Sequence, residues 1–309
     1  MTQFRFASHI FACAVLIVSV SAGSTQGDIF NDSFADGDRA ATGAMDTNWW
    51  TSSSSSGIEA STGSLGLVTG TSGRGIHTVF TTQTLSNVGD SLIATYTFTT
   101  PATVGSTSSS FRVGLFDSLG RAGLDADISA SSSSPNPLYG DTGLGGTEIG
   151  LPGYMLDMDV NPSAGNQDFN FRDHNTGSAT GRLMATTGSG SFSSFSSGPD
   201  ETYTFGSGTT HTGSFMITRI SSTELELTAM LDGAMYSVID SSVDSFEFGF
   251  LGFHVNSNTF GSTNAQGSPD NGIDFSNINL RFVSAIPEPG SAGLLMGAMV
   301  LLGAKRRRN

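Results

Sequence analysis

The sequence predicts an all-β fold, an antiparallel jelly-roll β-sandwich, and three observations carry that expectation. Short runs of alternating apolar and polar residues recur through the middle of the chain, as half-buried strands require. Glycine, serine, asparagine and aspartate separate these runs, and the 40 glycines of the 309 residues belong mostly to such turns. No apolar stripe of helical period is sustained over ten or more residues of this region.

Taken in chain order, the first such run is IHTVFTTQTL, from Ile76. SLIATYTFTT follows and places Leu92, Ala94, Tyr96 and Phe98 on one face, with threonines on the other. SFRVGLFD, GYMLDMDV and HTGSFMITRI repeat the pattern, starting at Ser110, Gly153 and His211. TELELTAML and AMYSVID are joined by Asp232-Gly233, a pair that tolerates the positive φ angles of a type I′ turn and so predicts a hairpin. SFEFGFLGFHV and GIDFSNINLRFV complete the set. Two packed antiparallel sheets bury this many short strands. The serine runs 52–56 and 131–134 and the segment 129–146, with Pro135 and Pro137, are expected to be loops.

Charge divides the chain into a body and two ends. The chain carries 27 acidic and 13 basic residues. Between Asp28 and Ile286 only 8 basic residues remain, all arginine, against 26 acidic ones, a net charge of −18 with no lysine. A nucleic-acid partner is excluded, because phosphate neutralisation needs a basic face. Cations cluster instead beside apolar stretches at the two ends, the arrangement of membrane-addressing segments.

At the N-terminus Arg5 precedes the apolar stretch Ile10 to Val20, and the small residues of SVSAGSTQG follow. This predicts a secretory signal over residues 1–27, cut after Ala22 or Gly27. The single cysteine, Cys13, falls inside it, so the exported body has no disulfide. At the C-terminus Ile286-Pro287-Glu288-Pro289-Gly290 precedes an apolar stretch from Ala292 to Ala304 and the basic tail Lys305, Arg306, Arg307 and Arg308. The two prolines keep Glu288 on an extended, accessible backbone. The apolar stretch is short for a permanent span, and the tail would hold it at the cytoplasmic side until it is cut.

This C-terminal segment, residues 286–309, resembles the PEP-CTERM sorting signal of Gram-negative bacteria: a Pro-Glu-Pro tripeptide, a hydrophobic transmembrane helix and an Arg-rich end, in that order. The resemblance implies that Pro287, Glu288 and Pro289 are recognised by an exosortase-type processing enzyme. It also implies membrane contact through the segment before cleavage, and export to the cell envelope, outer surface or extracellular matrix. The body, residues 28–285, resembles the concanavalin A-like lectin/glucanase sandwich in Asp32-x-Phe34 with Trp49-Trp50, VGDSLIATYTF, FRVGLF, LTAMLDGAMYSVID and GIDFSNINLRF. That resemblance implies one concave sheet, a surface for carbohydrate, and a calcium ion near the joined termini.

Candidate chemistry is sparse. Retaining glycosidases need two carboxylates roughly 5 Å apart, and Glu224-Leu225-Glu226 and Asp157-Met158-Asp159 are the nearest approaches. Each reads more simply as outward-facing carboxylates of one strand, and neither shows the third acid that glycanases of this sandwich class display. Arg172, Asp173 and His174 supply the residue types of a lyase cleft, and a polar turn explains them equally well. No nucleophile elbow, zinc pattern or phosphate loop is present among His77, His174, His211, His254 and the glycines.

For calcium, Asp32 and Asp36 near the start and Asp274 near the end offer hard oxygen donors on strands expected to lie side by side. For sugar stacking the candidates are Trp49 and Trp50, which must face opposite sides of a strand, and Tyr139. The expectation is an exported structural, adhesive or carbohydrate-binding module without catalysis that contacts extracellular polysaccharide. The alternative is a secreted glycoside hydrolase or polysaccharide lyase.

Overall fold

The computed structural model describes residues 24–51, 58–68, 73–102, 104, 110–120, 125–127, 150–160, 169–174, 183–184, 192–195, 205–256, 259–260 and 272–285. Every regular element among them is a strand. In order they are β1 (Ser24–Asp32), β2 (Trp50–Thr51), β3 (Ile58–Ser61), β4 (Ser64–Val68), β5 (Arg74–Thr84), β6 (Ser91–Thr99), β7 (Ser110–Phe116) and β8 (Gly153–Asp159). They continue with β9 (Phe169–His174), β10 (Phe192–Ser194), β11 (Thr210–Arg219), β12 (Leu225–Leu231), β13 (Ala234–Asp240), β14 (Glu247–Val255) and β15 (Gly272–Ala285). The sandwich is one compact unit, Thr25–Ala285. The terminal segments, including the proposed hydrophobic helix, lie outside the described residues, as do both serine-run loops.

The strands form two sheets, one of eight strands in the order β13-β12-β11-β6-β15-β4-β3 with β1 added beside β15, and one of seven in the order β10-β9-β8-β7-β14-β5-β2. Every register given is antiparallel. The chain switches sheets eight times, between β1 and β2, β2 and β3, β4 and β5, β5 and β6, β6 and β7, β10 and β11, β13 and β14, and β14 and β15, so these sequence neighbours lie in opposite layers of the sandwich. One large cluster fills that space. Tyr96 and Phe98 of β6 meet Phe111 of β7 at ring distances of 6.0 and 5.0 Å, and Phe253 of β14 meets Phe275 of β15 at 4.8 Å.

Two bulges set which side chains reach that core. The β14–β5 register slips between Phe248 and Phe250. Phe248 therefore joins the inter-sheet cluster while Phe250, two residues on, faces outward. The β15–β6 register slips between Phe275 and Asn277, moving the inward phase from Ile273 and Phe275 to Ile278 and Leu280. At the β12–β13 hairpin Asp232 and Gly233 have φ of 49° and 92°, as the type I′ expectation requires.

Six strands were not expected from alternation. β2 and β10 are too short to show a period, β3 and β4 sit among serines and glycines, and β1 and β9 are dense in polar residues. The segment holding Arg172, Asp173 and His174 is one of these corrections. It is strand β9 and not a turn, because Phe169 and Phe171 bury one of its faces and β8 and β10 pair both its edges.

Candidate functional site: the outer face of the seven-stranded sheet

Alternation places Trp50, His77, Phe250, His254, Arg112, Asp157, Arg172 and His174 on the side of the seven-stranded sheet that faces away from the other sheet. This face is largely buried. Phe116, Leu151, Met155, Leu183, Met184, Phe192 and Phe250 form a second apolar cluster on it. Gly114 belongs to that packing, since a Cβ there would collide with the Phe116 ring that lies back across its strand.

Beside the second cluster runs a charged band. Arg112 is 3% exposed and Asp157 6%. Arg112 Nε donates to Asp157 Oδ1 at 2.9 Å, and Arg172 Nε donates to Asp157 Oδ2 at 3.1 Å. Three more guanidinium nitrogens are also engaged. Arg112 Nη1 donates to the Met184 carbonyl at 2.7 Å and its Nη2 to Ser110 Oγ at 3.3 Å, while Arg172 Nη1 donates to Ser194 Oγ at 2.9 Å. Burial pushes the Asp157 carboxyl up, but the two guanidiniums outweigh it and hold the group below the usual carboxylate range. Asp157 is thus a fixed anion clamped by two cations.

Two histidines of this face, His254 and His174, are held neutral. Burial, with Arg112 adding to it, pushes His254 well below the ordinary imidazole range. Burial also lowers His174, whose Nδ1 lies 2.9 Å from the Leu151 carbonyl and so carries the proton. His77 stacks on Phe250 at 5.2 Å, and Trp50 lies 6.0 Å from His77 at the sheet's β2 edge.

The two tryptophans part as the strand period requires. Trp49 is 1% exposed and packs against Phe30, Phe34 and Phe253 in the main core. Trp50 is half-buried on the outer face. Of the two, only Trp50 is placed to offer a ring face to a sugar. Tyr139 lies outside the described residues, as do Pro287, Glu288, Pro289, Lys305, Arg306, Arg307 and Arg308.

The proposed calcium donors differ in their surroundings. Asp32 is 2% exposed and turned inward; Oδ1 accepts the Phe34 amide and Oδ2 the Trp49 indole N–H, both at 2.9 Å. Burial raises its pKa against those two donors. Asp36 is on the surface, where the Thr42 hydroxyl and the Asp38 amide lower its pKa. Asp274 sits in β15 between β4 and β6, with Ser64 Oγ at 3.4 Å. The first and last strands do lie side by side, joined by Asn277 Nδ2 donating to Asn31 Oδ1 at 2.9 Å. Even so, no group of three metal-ligating His, Cys, Asp or Glu side chains converges among the described residues. With both Asp32 oxygens already taken by N–H donors, this set does not fit a calcium cage.

Glu226 faces outward on β12, where its neighbours across the sheet are Thr218 and Ile239, and Glu224 precedes that strand. Alternation gave the outward side of Asp157 but not its arginine partners, which lie 45 and 15 residues away and meet it only through strand register. The one available signal was the unbroken apolar run FGFLGF of β14 beside the VGLF of β7, which marks strands covered on both faces.

No protein-family model matches the chain, and no curated protein matches it in sequence. Among solved structures it is similar to an endo-1,3-beta-glucanase from Streptomyces sioyaensis, at 14% identity and a TM-score of 0.45, over 85% of this chain and 99% of that one. It is also similar to basic winged bean lectin (9% identity, TM-score 0.43, 87% of this chain and 100% of that one) and to the Emp46p carbohydrate recognition domain (14%, 0.44, 75% and 87%). At TM-scores below 0.5 these likenesses assign no function, and the sandwich architecture itself rests on the strand registers above.

Proposed function

We propose that this chain is an exported, exosortase-processed β-sandwich of the cell surface or extracellular matrix that binds carbohydrate without cleaving it. The observation that carries the non-catalytic reading is the clamp on Asp157. A general acid needs a raised pKa and its partner carboxylate a fixed short separation, whereas Asp157 is held ionised between Arg112 and Arg172. Trp50, at the edge of the same face, supplies an aromatic surface on which a pyranose can stack.

Export is supported by the terminal motifs. The compact unit, Thr25–Ala285, stops immediately before Ile286-Pro287-Glu288-Pro289, so cutting at the tripeptide would remove none of the sandwich. Of the two signal sites, a cut after Ala22 leaves β1 whole, and one after Gly27 would remove its first residues.

The test uses protein recovered from the surface of cells expressing the full chain, with its termini read by mass spectrometry and its binding measured on a glycan panel. Expected are a C-terminus close to Pro287 and binding that Trp50→Ala weakens roughly tenfold, the scale of one lost stacking contact. A retained Arg-rich end overturns the processing, and binding unchanged by Trp50→Ala overturns the site. Release of reducing ends or unsaturated sugars, abolished by Asp157→Asn, would establish the enzyme instead.

A further inference from the structure

We propose that Met216, Met230 and Met235, on the outward face of the eight-stranded sheet, form a binding site for a soft monovalent cation, Cu(I). Seven methionines lie among the described residues. Met155, Met158 and Met184 are buried, and Met45 lies in the turn-rich segment before β2. The other three occur together. Phe215 and Ile217 of β11, Ala229 and Leu231 of β12 and Tyr236 of β13 face the core, so alternation turns Met216, Met230 and Met235 outward. Met230 and Met235 are direct cross-strand partners, 37% and 68% exposed. Met216 is half-buried and diagonal to Met230, since it lies opposite Thr228 while Met230 lies opposite Ser214.

Sheet spacing brings the three thioethers within reach of one ion. Opposite residues on one face have Cβ atoms about 5 Å apart and diagonal ones about 7 Å apart, and the three rotatable bonds of methionine let the sulfurs converge from those positions. The neighbours do not make a continuous apolar patch. Ile93 and Thr228, on either side of Met216, are only 9% and 8% exposed and present little surface to a ligand. Ser237 separates Met235 from Ile239 along β13, and Glu226 stands beside Ile239. Thioether sulfur is thus the chemistry that runs unbroken across β11, β12 and β13.

Charge and softness select the ion. A body of net charge −18 draws cations to its surface. No arginine stands opposite any of the three methionines, and Arg281 of β15 lies two strands from Met216, across Ile93. Hard cations such as calcium and magnesium take oxygen ligands, whereas the neutral, polarizable thioether suits Cu(I). Binding needs no deprotonation, because a thioether carries no proton to lose.

The test uses the full-length chain with Cys13→Ser, which removes its only thiol, isotopically labelled at the methionine ε-methyls and solubilised in mild detergent. It is titrated in chloride-free buffer with Ag(I), the redox-inert counterpart of Cu(I), and followed by NMR, single Met→Leu substitutions assigning the resonances. The methyls of Met216, Met230 and Met235 are expected to shift together and saturate at one ion per chain, with Met45, 39% exposed, unmoved. Met230→Leu and Met235→Leu, both exposed and volume-conserving, should each weaken binding roughly tenfold or more, while the methyls of buried Met155, Met158 and Met184 report an unchanged core. Cu(I) kept reduced by ascorbate should displace Ag(I) and move the same three methyls. No shift at these three, an equal shift at Met45, affinity indifferent to both leucine variants, or failure of Cu(I) to displace Ag(I) overturns the proposal.

Discussion

On the eight-stranded sheet the outward positions of β6 and β11 include Thr95, Thr97, Thr99, Thr210, Thr212 and Ser214, each open or half-open to solvent. On the seven-stranded sheet the outward positions of β7, β8 and β14 include Arg112, Phe116, Met155, Asp157, Phe250 and His254, all buried. Both faces are built by the same period-two backbone, yet they meet different surroundings. The first face satisfies its hydroxyls through water and through cross-strand pairs such as Thr99 with Thr210 at 3.0 Å and Ser91 with Thr218 at 2.9 Å. The second must satisfy every polar group within the protein, because a buried charge left unpaired is costly. Substitutions on the two faces should therefore differ sharply in cost.

The largest effect is expected at the clamp. Asp157→Ala leaves the Arg112 and Arg172 guanidiniums facing each other without their shared anion, at a cost of about 3–5 kcal/mol, read as a fall in the urea midpoint. Replacing all three residues together with apolar ones of similar volume should restore most of the loss, since paired charges inside a protein gain little over good packing. If the single substitution costs less than about 1 kcal/mol, water reaches this face and its contrast with the threonine face fails.

The same contrast explains what the sequence could disclose. β6 and β11 are legible because one face is wet, so threonine alternates with the core residues Phe98, Tyr96, Phe215 and Ile217. β7 and β14 are legible as strands, but their burial on both faces removes the alternation that would tell inside from outside. The split of Trp49 from Trp50 follows from period two alone. Their environments do not, since Asp32 reaches the Trp49 indole only after the chain folds back across 17 residues. Likewise, the sequence offers Asp32 as a cation ligand without showing that both its carboxylate oxygens accept N–H donors.

An intermediate effect is expected at the rim between the sheets. Asp173 of β9 is opposite Tyr154 in register and shares its surroundings with Asp240 and Asp244. Burial first, then those two carboxylates, raise its pKa from 3.8 to about 7. Because the folded value lies above the unfolded one, the native state binds the extra proton between them. The stabilising contribution is thus complete below pH 3.8 and is lost as pH rises through about 7. Asp173→Asn, which cannot ionise, should match the parent in acid and exceed it at pH 8 by about 1 kcal/mol, solvent screening of this half-buried group having reduced the full value. A variant no more stable at pH 8 than its parent would remove Asp173 as the origin of this pH dependence.

The smallest effect is expected on the open face. Thr212 lies opposite Thr97 on β6, and its amide, not its side chain, donates to Asp232 Oδ1 at 2.9 Å. Thr212→Ala keeps that backbone bond and removes only a solvated hydroxyl and methyl, so the change should stay within about 0.5 kcal/mol, the difference in strand preference included. A loss several times larger would mean that Thr212 is covered in solution, by another molecule or by a segment of the chain itself. Repeating the measurement over a hundredfold range of protein concentration separates the two. A covering copy makes the loss concentration-dependent, whereas an intramolecular cover does not.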